Sequence, residues 1–330
     1  MRYRQLGNSD LQVPAVSFGA WAIGGWLWGG TDDEAAIRAI HAAIDHGMTL
    51  IDTAPVYGMG HSERIVGKAV AGRRGEVLIA TKCGLRWDGT DGAFHFSTVD
   101  NDGQNRDIYR NLKPQSLRWE CEQSLRRLRV DYIDLYQCHW PDPDTPIADT
   151  MGILTELQKE GKIRAFGVSN FSAEQLDECL KWGRIESDQP RYSALDRGIE
   201  AEILPFCREN NVGILAYCPL EQGMLTGKVP PDRVFNEGDQ RREKPLFSRE
   251  NRITINAMLD DLRSVAEKYD ATFGQLFLAW LTAQEGVTTA LAGTRNEAQV
   301  SENAMAGDIV LSDADLAEIR NRVESLSLKR

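Results

Sequence analysis

The sequence predicts one (β/α)8 barrel over residues 1–330, with an N-terminal β-hairpin and long connections after the third and seventh barrel strands. The chain has 330 residues, of which 42% are hydrophobic, and this is enough to bury a large core. Short apolar runs alternate with helical segments, and no linker interrupts them. Eight such pairs in one chain favour a closed barrel over an open doubly wound sheet.

The strand predictions rest on short apolar runs bounded by turn residues. The opening stretch YRQLGNSDLQV has two alternating runs around a polar turn, which indicates a small hairpin. The barrel strands follow it as AVSFGA ending near Ala20, TLIDTA near Asp52, VLIATK ending at Lys82, YIDLYQCHW ending near His139, IRAFGVS ending at Ser169, a weak one in ESDQPRYS near Gln189, VGILAYC ending near Tyr217 and TTALAGT ending near Gly293.

Helix starts are indicated by capping residues between these runs. Thr31 and Glu34 are spaced as a capping box, and so are Ser172 and Gln175. Pro114 stands where the first turn of another helix is expected, a position that tolerates proline because its missing N–H has no helical partner. Helical segments therefore separate the predicted strands.

Two strand-to-helix connections are unusually long, residues 83–113 and residues 226–249. Long loops in compact folds are often functional, and active sites of this fold lie at the C-terminal ends of the strands. We therefore interpret the first connection as a substrate lid and the second as a strap over a cofactor.

Composition excludes several classes of function. The net charge of −11 offers no basic surface for nucleic acid. The N-terminus MRYRQLGNSDLQVP lacks the apolar run of a signal peptide, and no stretch supplies about 20 apolar residues for a membrane span, so we expect a cytoplasmic protein without a membrane partner. The six cysteines show no paired CxxC spacing, which predicts buried free thiols.

Nearly every predicted strand ends in a polar or special residue. A polar residue after a strand most often caps the next helix, so no single position is decisive. Barrel closure, however, would bring all of these residues around one mouth. They are Gly19 with Ala20 and Trp21, then Asp52, Lys82, His139, Ser169 with Asn170, Gln189, Tyr217, and Gly293 with Thr294 and Arg295.

Three reaction classes compete for this cluster. A metal site lacks ligands, because His139 is the only histidine at a strand end, and a serine hydrolase lacks a GxSxG motif. A Schiff-base aldolase needs a lysine such as Lys82, and this remains the best competitor. Asp52 weakens it, since a carboxylate on the adjacent strand holds the lysine as an unreactive ammonium ion.

The same ion pair suits a reaction in which Tyr57 transfers a proton. A free phenol has a pKa of about 10, and a nearby ammonium group stabilises the phenolate and lowers this value. Tyr57 can then act as acid toward a carbonyl oxygen and as base toward an alcohol, while His139 orients the same oxygen.

Five separated motifs then reveal a resemblance that covers the whole chain. DTAPVYGMGHSE, IATK, QCHWPD, GVSNF and GTRNEAQVSENA together resemble the aldo-keto reductases, most closely the bacterial stress-response and inositol-operon types. The resemblance implies a barrel that binds NADPH, or less favourably NADH, without a Rossmann domain. It implies reversible reduction of aldehydes and ketones, and it places the family's catalytic positions on Asp52, Tyr57, Lys82 and His139.

The resemblance also implies a cofactor site. Ser169, Asn170 and Gln189 are expected to hold the nicotinamide carboxamide, and Tyr217 to stack on its ring. Arg295 suits a 2′-phosphate through bidentate hydrogen bonds, which favours NADPH. The full expected set is Gly19, Ala20, Trp21, Asp52, Ser169, Asn170, Gln189, Tyr217, Cys218, Pro219, Leu220, Gly223, Leu225, Lys228, Arg241, Gly293, Thr294, Arg295, Gln299 and Asn303. Cys218 departs from the serine that many relatives carry, so a contact there is left open.

The density of tryptophans suggests an aromatic substrate pocket, for which we expect Trp21, Tyr57, Trp87, His139 and Trp140. Trp26 and Trp28 belong to the same group, and some of these rings are expected to be packing residues. The partner is predicted to be a small carbonyl or alcohol, in a monomer or weak homo-oligomer without a metal. Because channel β-subunits resemble the same family, a nucleotide-binding regulatory subunit remains the non-enzymatic alternative.

Overall fold

The computed structural model describes residues 1–329 and confirms the barrel. Eight parallel strands close in the order β3, β4, β5, β9, β10, β11, β12, β13 and back to β3. The strands are β1 Tyr3–Gln5, β2 Gln12–Pro14, β3 Val16–Gly19, β4 Leu50–Asp52, β5 Leu78–Cys83, β6 Leu85–Arg86, β7 Ala93–Val99, β8 Asn105–Arg110, β9 Ile133–Cys138, β10 Ile163–Ser169, β11 Ser187–Gln189, β12 Gly213–Tyr217 and β13 Val287–Gly293.

Helices follow the barrel strands and pack outside them around the main hydrophobic core. They are α1 Asp33–Asp45, α2 His61–Ala69, α3 Pro114–Leu128, α4 Ile147–Lys159, α5 Ala173–Trp182, α6 Ile203–Glu209, α7 Arg249–Asp261, α8 Arg263–Lys268, α9 Phe273–Thr282, α10 Glu297–Met305 and α11 Asp313–Glu324.

The predicted N-terminal hairpin is confirmed as β1 paired with β2. Its side chains Leu6, Leu11 and Val13 are buried against inward-facing residues of the barrel such as Leu50 and Leu135. Leu50 begins its strand, so the hairpin closes the N-terminal end of the barrel. The opposite end, where the strands finish, is left for a functional site.

Two of the predicted helix starts are confirmed and a third is corrected. Ser172 and Gln175 form the expected capping box at α5, and Pro114 begins α3. At α1 the cap is Asp32, whose side chain accepts a hydrogen bond from the N–H of Ala35, so the expected box of Thr31 and Glu34 is wrong. Aspartate is as good a cap as threonine, and the two candidates are adjacent in the chain.

The long connection after β5 has a structure of its own. It forms a three-stranded antiparallel sheet in the order β6, β8, β7, hereafter the lid sheet. Alternating residues in AFHFSTV and the turn DNDG are hairpin signals that the interpretation as a plain lid overlooked. The connection after β12 contains short 3-10 turns at Glu221–Thr226, Gln240–Arg242 and Pro245–Phe247.

The cysteines are free thiols, as expected, although Cys218 is half-buried where the others are buried. Within residues 1–329, no helix is both long enough and apolar enough to cross a bilayer. The same part of the chain contains no group of three or more potential ligands placed to hold a metal ion.

Candidate active site

Asp52 and Lys82 form a buried ion pair at the C-terminal ends of neighbouring strands. The Lys82 Nζ atom donates to Asp52 Oδ1 at 2.7 Å and to the Thr53 carbonyl oxygen at 2.9 Å. The Lys82 side chain is 0% exposed and the Asp52 side chain 4% exposed. The second carboxylate oxygen of Asp52 accepts from Gln189 Nε2 at 2.9 Å, which ties the pair to the far side of the barrel. The lysine is therefore held by polar partners with no solvent access.

Tyr57 reaches this ion pair from the turn between β4 and α2. Its hydroxyl lies 3.4 Å from Lys82 Nζ. The turn needs glycine at residue 58, where φ is +67° and a Cβ atom would lie 2.3 Å from the Gly24 carbonyl oxygen. The Tyr57 ring stacks on Trp21 at a centroid distance of 6.0 Å and meets His139 edge-on at 5.8 Å. The four expected catalytic side chains therefore converge.

The electrostatics of this cluster differ from the sequence-based expectation. Burial, with a further contribution from the Asp52 charge, raises the pKa of Tyr57 well above its ordinary value, where the ammonium group was expected to lower it. Asp52 already balances Lys82 at 2.7 Å, so little of the lysine charge is left to stabilise a phenolate. Burial also lowers the pKa of Lys82, against the opposing effect of Asp52. Tyr57 is thus a neutral phenol in this structure.

His139 is neutral as well. Burial and the charge of Lys82 hold the pKa of His139 well below its ordinary value. A neutral imidazole retains one N–H for donation and one nitrogen for acceptance. The Tyr57 hydroxyl and the His139 N–H are therefore two neighbouring hydrogen-bond donors, and both side chains are uncharged.

Polar side chains from three further strands interlock beside this cluster. Asn170 Nδ2 donates to the His139 carbonyl oxygen and to Ser169 Oγ, both at 3.0 Å. Its Oδ1 accepts from the Tyr217 hydroxyl at 3.0 Å, and Ser169 Oγ donates to the Gln189 carbonyl oxygen at 2.7 Å. The strand at Gln189 is only three residues long, but it places this side chain as expected.

A cavity of about 360 Å³ runs from Asp52 and Tyr57 to the first turns of α10. Four cations line it and only two acids do, although the chain as a whole is acidic. Most of the expected cofactor residues line this cavity. They are Gly19, Trp21, Asp52, Gln189, Tyr217, Cys218, Pro219, Leu220, Gly223, Lys228, Arg241, Gly293, Arg295, Gln299 and Asn303.

The remaining expected cofactor residues lie behind the cavity wall. Leu225 is fully buried in the hydrophobic core, so its side chain cannot contact a ligand. Ala20 and Thr294 are also buried. Ser169 and Asn170 lie in the polar network described above rather than on the cavity wall. A pattern of strand ends does not distinguish a side chain that faces the cavity from one that faces a helix.

Trp28 is a cavity residue that the sequence assigned only to the general aromatic group. Its carbonyl oxygen accepts from Arg295 Nη2 at 2.8 Å, and the Arg241 and Arg295 guanidinium groups lie 5.1 and 5.3 Å from its ring centroid. Trp28 also pairs with Asp239 in an isolated antiparallel bridge. The segment after β3 therefore fastens to the connection after β12 across the cavity.

The tryptophans expected at the substrate pocket fall into two groups. Trp87 and Trp140 are partly buried and pack, like Tyr57, against a separate cluster, hereafter the aromatic cluster, whose buried residues are Trp26, Ala54, Val56, Leu85 and Ile108. Trp26 is a packing residue, since it is 5% exposed, stacks on Phe96 and donates its indole N–H to Thr98 Oγ1 at 2.9 Å. The Trp26 ring fastens the lid sheet to the barrel.

The residues that line the cavity suit a dinucleotide. Lys228, Arg233, Arg241 and Arg295 match a polyanionic diphosphate, and Tyr217 offers a flat aromatic face at the inner end. Three consecutive residues from Glu221 have positive φ angles, and the N–H groups of Glu221 and Gly223 donate to the carbonyl oxygens of Cys218 and Leu220, which fixes this turn in the cavity wall. No Rossmann fold is needed for this arrangement.

The comparisons with known proteins agree with this geometry. The Aldo/keto reductase family model matches residues 15–324. The chain is 41% identical over 332 aligned positions to the NADH-specific methylglyoxal reductase of Escherichia coli (strain K12), covering 99% of each protein. The chain therefore belongs to the aldo-keto reductases.

Two solved structures extend the comparison. The glycerol dehydrogenase from Gluconobacter oxydans is 40% identical with a TM-score of 0.87, covering 97% of this chain and 94% of that one. An aldo-keto reductase from Klebsiella pneumoniae in complex with NADPH is 28% identical with a TM-score of 0.72, covering 97% and 95%. The protein is an oxidoreductase of this family, and the family uses a nicotinamide cofactor.

Proposed function

We propose that the protein reduces aldehydes and ketones to alcohols, and reversibly oxidises alcohols, with Tyr57 as the general acid and base. The observation that carries the proposal is the convergence of the Tyr57 hydroxyl and Lys82 Nζ, 3.4 Å apart, at the inner end of a cation-lined cavity. The bound nicotinamide cofactor supplies the hydride.

The chain's own residues handle the proton. A phenol that burial keeps neutral holds the proton that a carbonyl oxygen needs once it gains negative charge. As the phenolate forms, Lys82 Nζ is close enough to strengthen its hydrogen bond to the tyrosine oxygen. Asp52 keeps the lysine charged at every stage. His139, neutral and edge-on to Tyr57, donates a second hydrogen bond that orients the carbonyl oxygen.

The polar network beside the ion pair serves to hold the nicotinamide carboxamide. Gln189 lines the cavity and presents an amide group that matches its acceptor and donor, and Asn170 supports Gln189 from behind through Ser169. Gln189 also bonds Asp52, so the cofactor and proton-transfer groups share a rigid support. Tyr217 lines the inner end of the cavity and is fixed by its hydrogen bond to Asn170.

We infer that the cofactor is NADPH. Arg295 lines the outer end of the cavity at the start of α10, with Gln299 and Asn303 on the following turns. A guanidinium group beside a helix N-terminus suits the 2′-phosphate that distinguishes NADPH from NADH. Because the relative from Escherichia coli is named NADH-specific, the two dissociation constants must be measured side by side.

Substitution Tyr57→Phe tests the reaction. The variant is expected to lose roughly 100-fold or more in kcat with a panel of aldehydes, while the dissociation constant for NADPH changes less than about twofold. Absorbance of the reduced nicotinamide band measures turnover, and fluorescence titration measures binding. Turnover at the rate of the unsubstituted protein would rule out Tyr57 as the proton donor.

Two further experiments address the cofactor and the aldolase alternative. Arg295→Ala is expected to weaken NADPH binding by about tenfold or more and NADH binding little, since only NADPH carries the extra phosphate. An equal loss for both would show that Arg295 does not contact the 2′-phosphate. Lys82 is fully buried and bonded to Asp52, so borohydride is expected to trap no substrate on it.

A further inference from the structure

The lid sheet contains a β-bulge directly beside the active site. Phe94 pairs with Tyr109 and Phe96 pairs with Ile108, so His95 is an extra residue without a partner on β8. Bulges re-aim a side chain and are frequent beside active sites. Here the His95 ring lies against Trp140, at a centroid distance of 5.3 Å and an interplanar angle of 53°.

This contact brings His95 close to the catalytic cluster. Trp140 follows His139 in the chain and packs in the same aromatic cluster as Tyr57 and Trp87. Within residues 1–329 the contacts of the His95 ring are with the rings of Phe96 and Trp140, its nitrogens make no hydrogen bond, and the ring is half-buried. The bulge therefore presents an imidazole with free polar atoms beside Trp140, a position hereafter called the rim of the expected substrate pocket.

Arg110 approaches the same rim from β8. It lies two residues after Ile108, on the face of the strand that packs toward the aromatic cluster. Its Nη1 makes one long contact of 3.4 Å with the Pro141 carbonyl oxygen, and its Nε is buried with no partner. Pro141 follows Trp140, so the guanidinium group lies beside the segment that carries His139.

Arg110 differs from the other basic side chains of the lid connection. Arg86 pairs with Asp88, Arg106 with Asp100 and Lys113 with Asp91. Within the part of the chain that the structure describes, no carboxylate oxygen lies within 4 Å of the Arg110 guanidinium group. A half-buried arginine without an acid, in a chain of net charge −11, has lost hydration and has gained no ion pair in return.

We propose that Arg110 and His95 form a carboxylate-binding subsite, so that the preferred substrates are carbonyl compounds that carry a carboxylate a few bonds from the reacting carbon. Arginine binds carboxylates in a fork geometry through two parallel hydrogen bonds, and the edge of Arg110 formed by Nε and Nη2, which faces away from the Nη1 contact with Pro141, provides it. His95 adds a third donor from the neighbouring strand.

Burial and the Arg110 charge lower the pKa of His95, so at neutral pH it donates as a neutral ring. Trp140, which contacts His95, and Trp87 pack against the same cluster as Tyr57, so apolar surface accompanies this subsite and suits a short or aromatic spacer. The inference rests on the proposed reductase activity, because the subsite selects among its substrates.

The test compares 4-carboxybenzaldehyde with its methyl ester, which has the same carbonyl but no charge. The unsubstituted protein is expected to show the higher kcat/KM for the acid. Arg110→Gln is expected to raise KM for the acid by roughly 10- to 100-fold, the range for a hydrogen bond to a charged group, and to leave the ester within about twofold. His95→Gln is expected to act in the same direction by a smaller factor.

Arg106→Gln is the matched control, because it removes the same charge from the same strand but pairs with Asp100 away from the rim. It should leave both substrates unchanged. Activity of Arg110→Gln on the ester shows that the variant is folded. Equal changes for acid and ester, or no preference for the acid in the unsubstituted protein, would overturn the subsite.

Failure of the proposed reaction gives a different result. In that case neither compound is reduced, and calorimetric dissociation constants for the acid and the ester are compared instead. A carboxylate subsite still predicts that the acid binds more tightly and that Arg110→Gln abolishes the difference. Equal affinity for the two compounds in the unsubstituted protein would refute it independently of turnover.

Discussion

Neutralising Asp52 exposes the energetic role of the buried ion pair. In Asp52→Asn, the fully buried Lys82 ammonium group keeps only neutral oxygen partners. Removing one partner of a buried pair costs about 3–5 kcal/mol, because the other charge remains uncompensated. The asparagine also cannot accept from both Lys82 and Gln189, since it has one oxygen where the carboxylate has two.

The loss converts into a measurable change in melting temperature. Unfolding entropy scales with length and is about 0.7 kcal/mol/K for 330 residues, so the variant should melt about 4–7 °C lower at pH 7. Differential scanning calorimetry measures this midpoint. The double variant Asp52→Asn with Lys82→Met removes both charges and is expected to recover most of the loss, since a neutral pair has little desolvation cost.

The pH dependence gives a second signature. Burial lowers the pKa of Lys82, so the folded state binds fewer protons than the unfolded state between that lowered value and about 10.4. The unfolding free energy therefore rises with pH in this window. The rise should be larger in Asp52→Asn, because no carboxylate then opposes the lowering of the Lys82 pKa. A midpoint that falls by less than about 2 °C, or two substitutions whose effects simply add, would refute this account.

Three other substitutions test buried charges and the strap. Burial raises the pKa of Glu120 to about 7, so the folded state retains a proton that the unfolded state has lost. The free energy of unfolding should therefore fall by up to about 3 kcal/mol as the pH rises from about 4.5 to 7. Glu120→Gln should remove this pH dependence in denaturant titrations. Asp188 is fully buried, and burial raises its pKa well above the ordinary range against the opposing effect of the backbone N–H groups of Gln189 and Phe171. Asp188→Asn should therefore gain stability over the unsubstituted protein as the pH rises from 5 to 8, and a constant difference in melting temperature would contradict this. Trp28→Ala removes two cation–π contacts, with Arg241 and Arg295, and is expected to speed NADPH dissociation by roughly 5- to 30-fold in a stopped-flow displacement experiment; an unchanged rate would show that this ring does not retain the cofactor.

Much of the site was accessible from strand ends because parallel barrel strands must finish at one mouth. The strand periodicity and the barrel hypothesis were enough to predict that Asp52, Lys82 and His139 lie close together. The position of Tyr57 required one more inference, namely that the glycine-flanked turn after the second barrel strand folds over the barrel mouth. The weak strand predicted in ESDQPRYS near Gln189 is observed as Ser187–Gln189, paired with β10 and β12.

Other residues could not be placed in this way. Leu225 follows a segment with positive φ angles, which turns its side chain into the core instead of the cavity. Trp28 reaches the cavity through contacts with residues more than 200 positions away, such as Asp239 and Arg295. The bulge at His95 depends on a register shift between two strands of the lid sheet, and periodicity within one strand does not reveal it.

The sequence by itself determined the barrel, the order of its strands and the chemical types that stand at their ends. These properties follow from local periodicity and from the few topologies that short connections allow. Only the tertiary structure decided the protonation of Tyr57, because burial and the distance from Lys82 to Asp52 set the balance of charge. It also decided which arginine lacks an acidic partner, since ion pairing depends on which side chains the lid sheet brings within a few ångströms of one another.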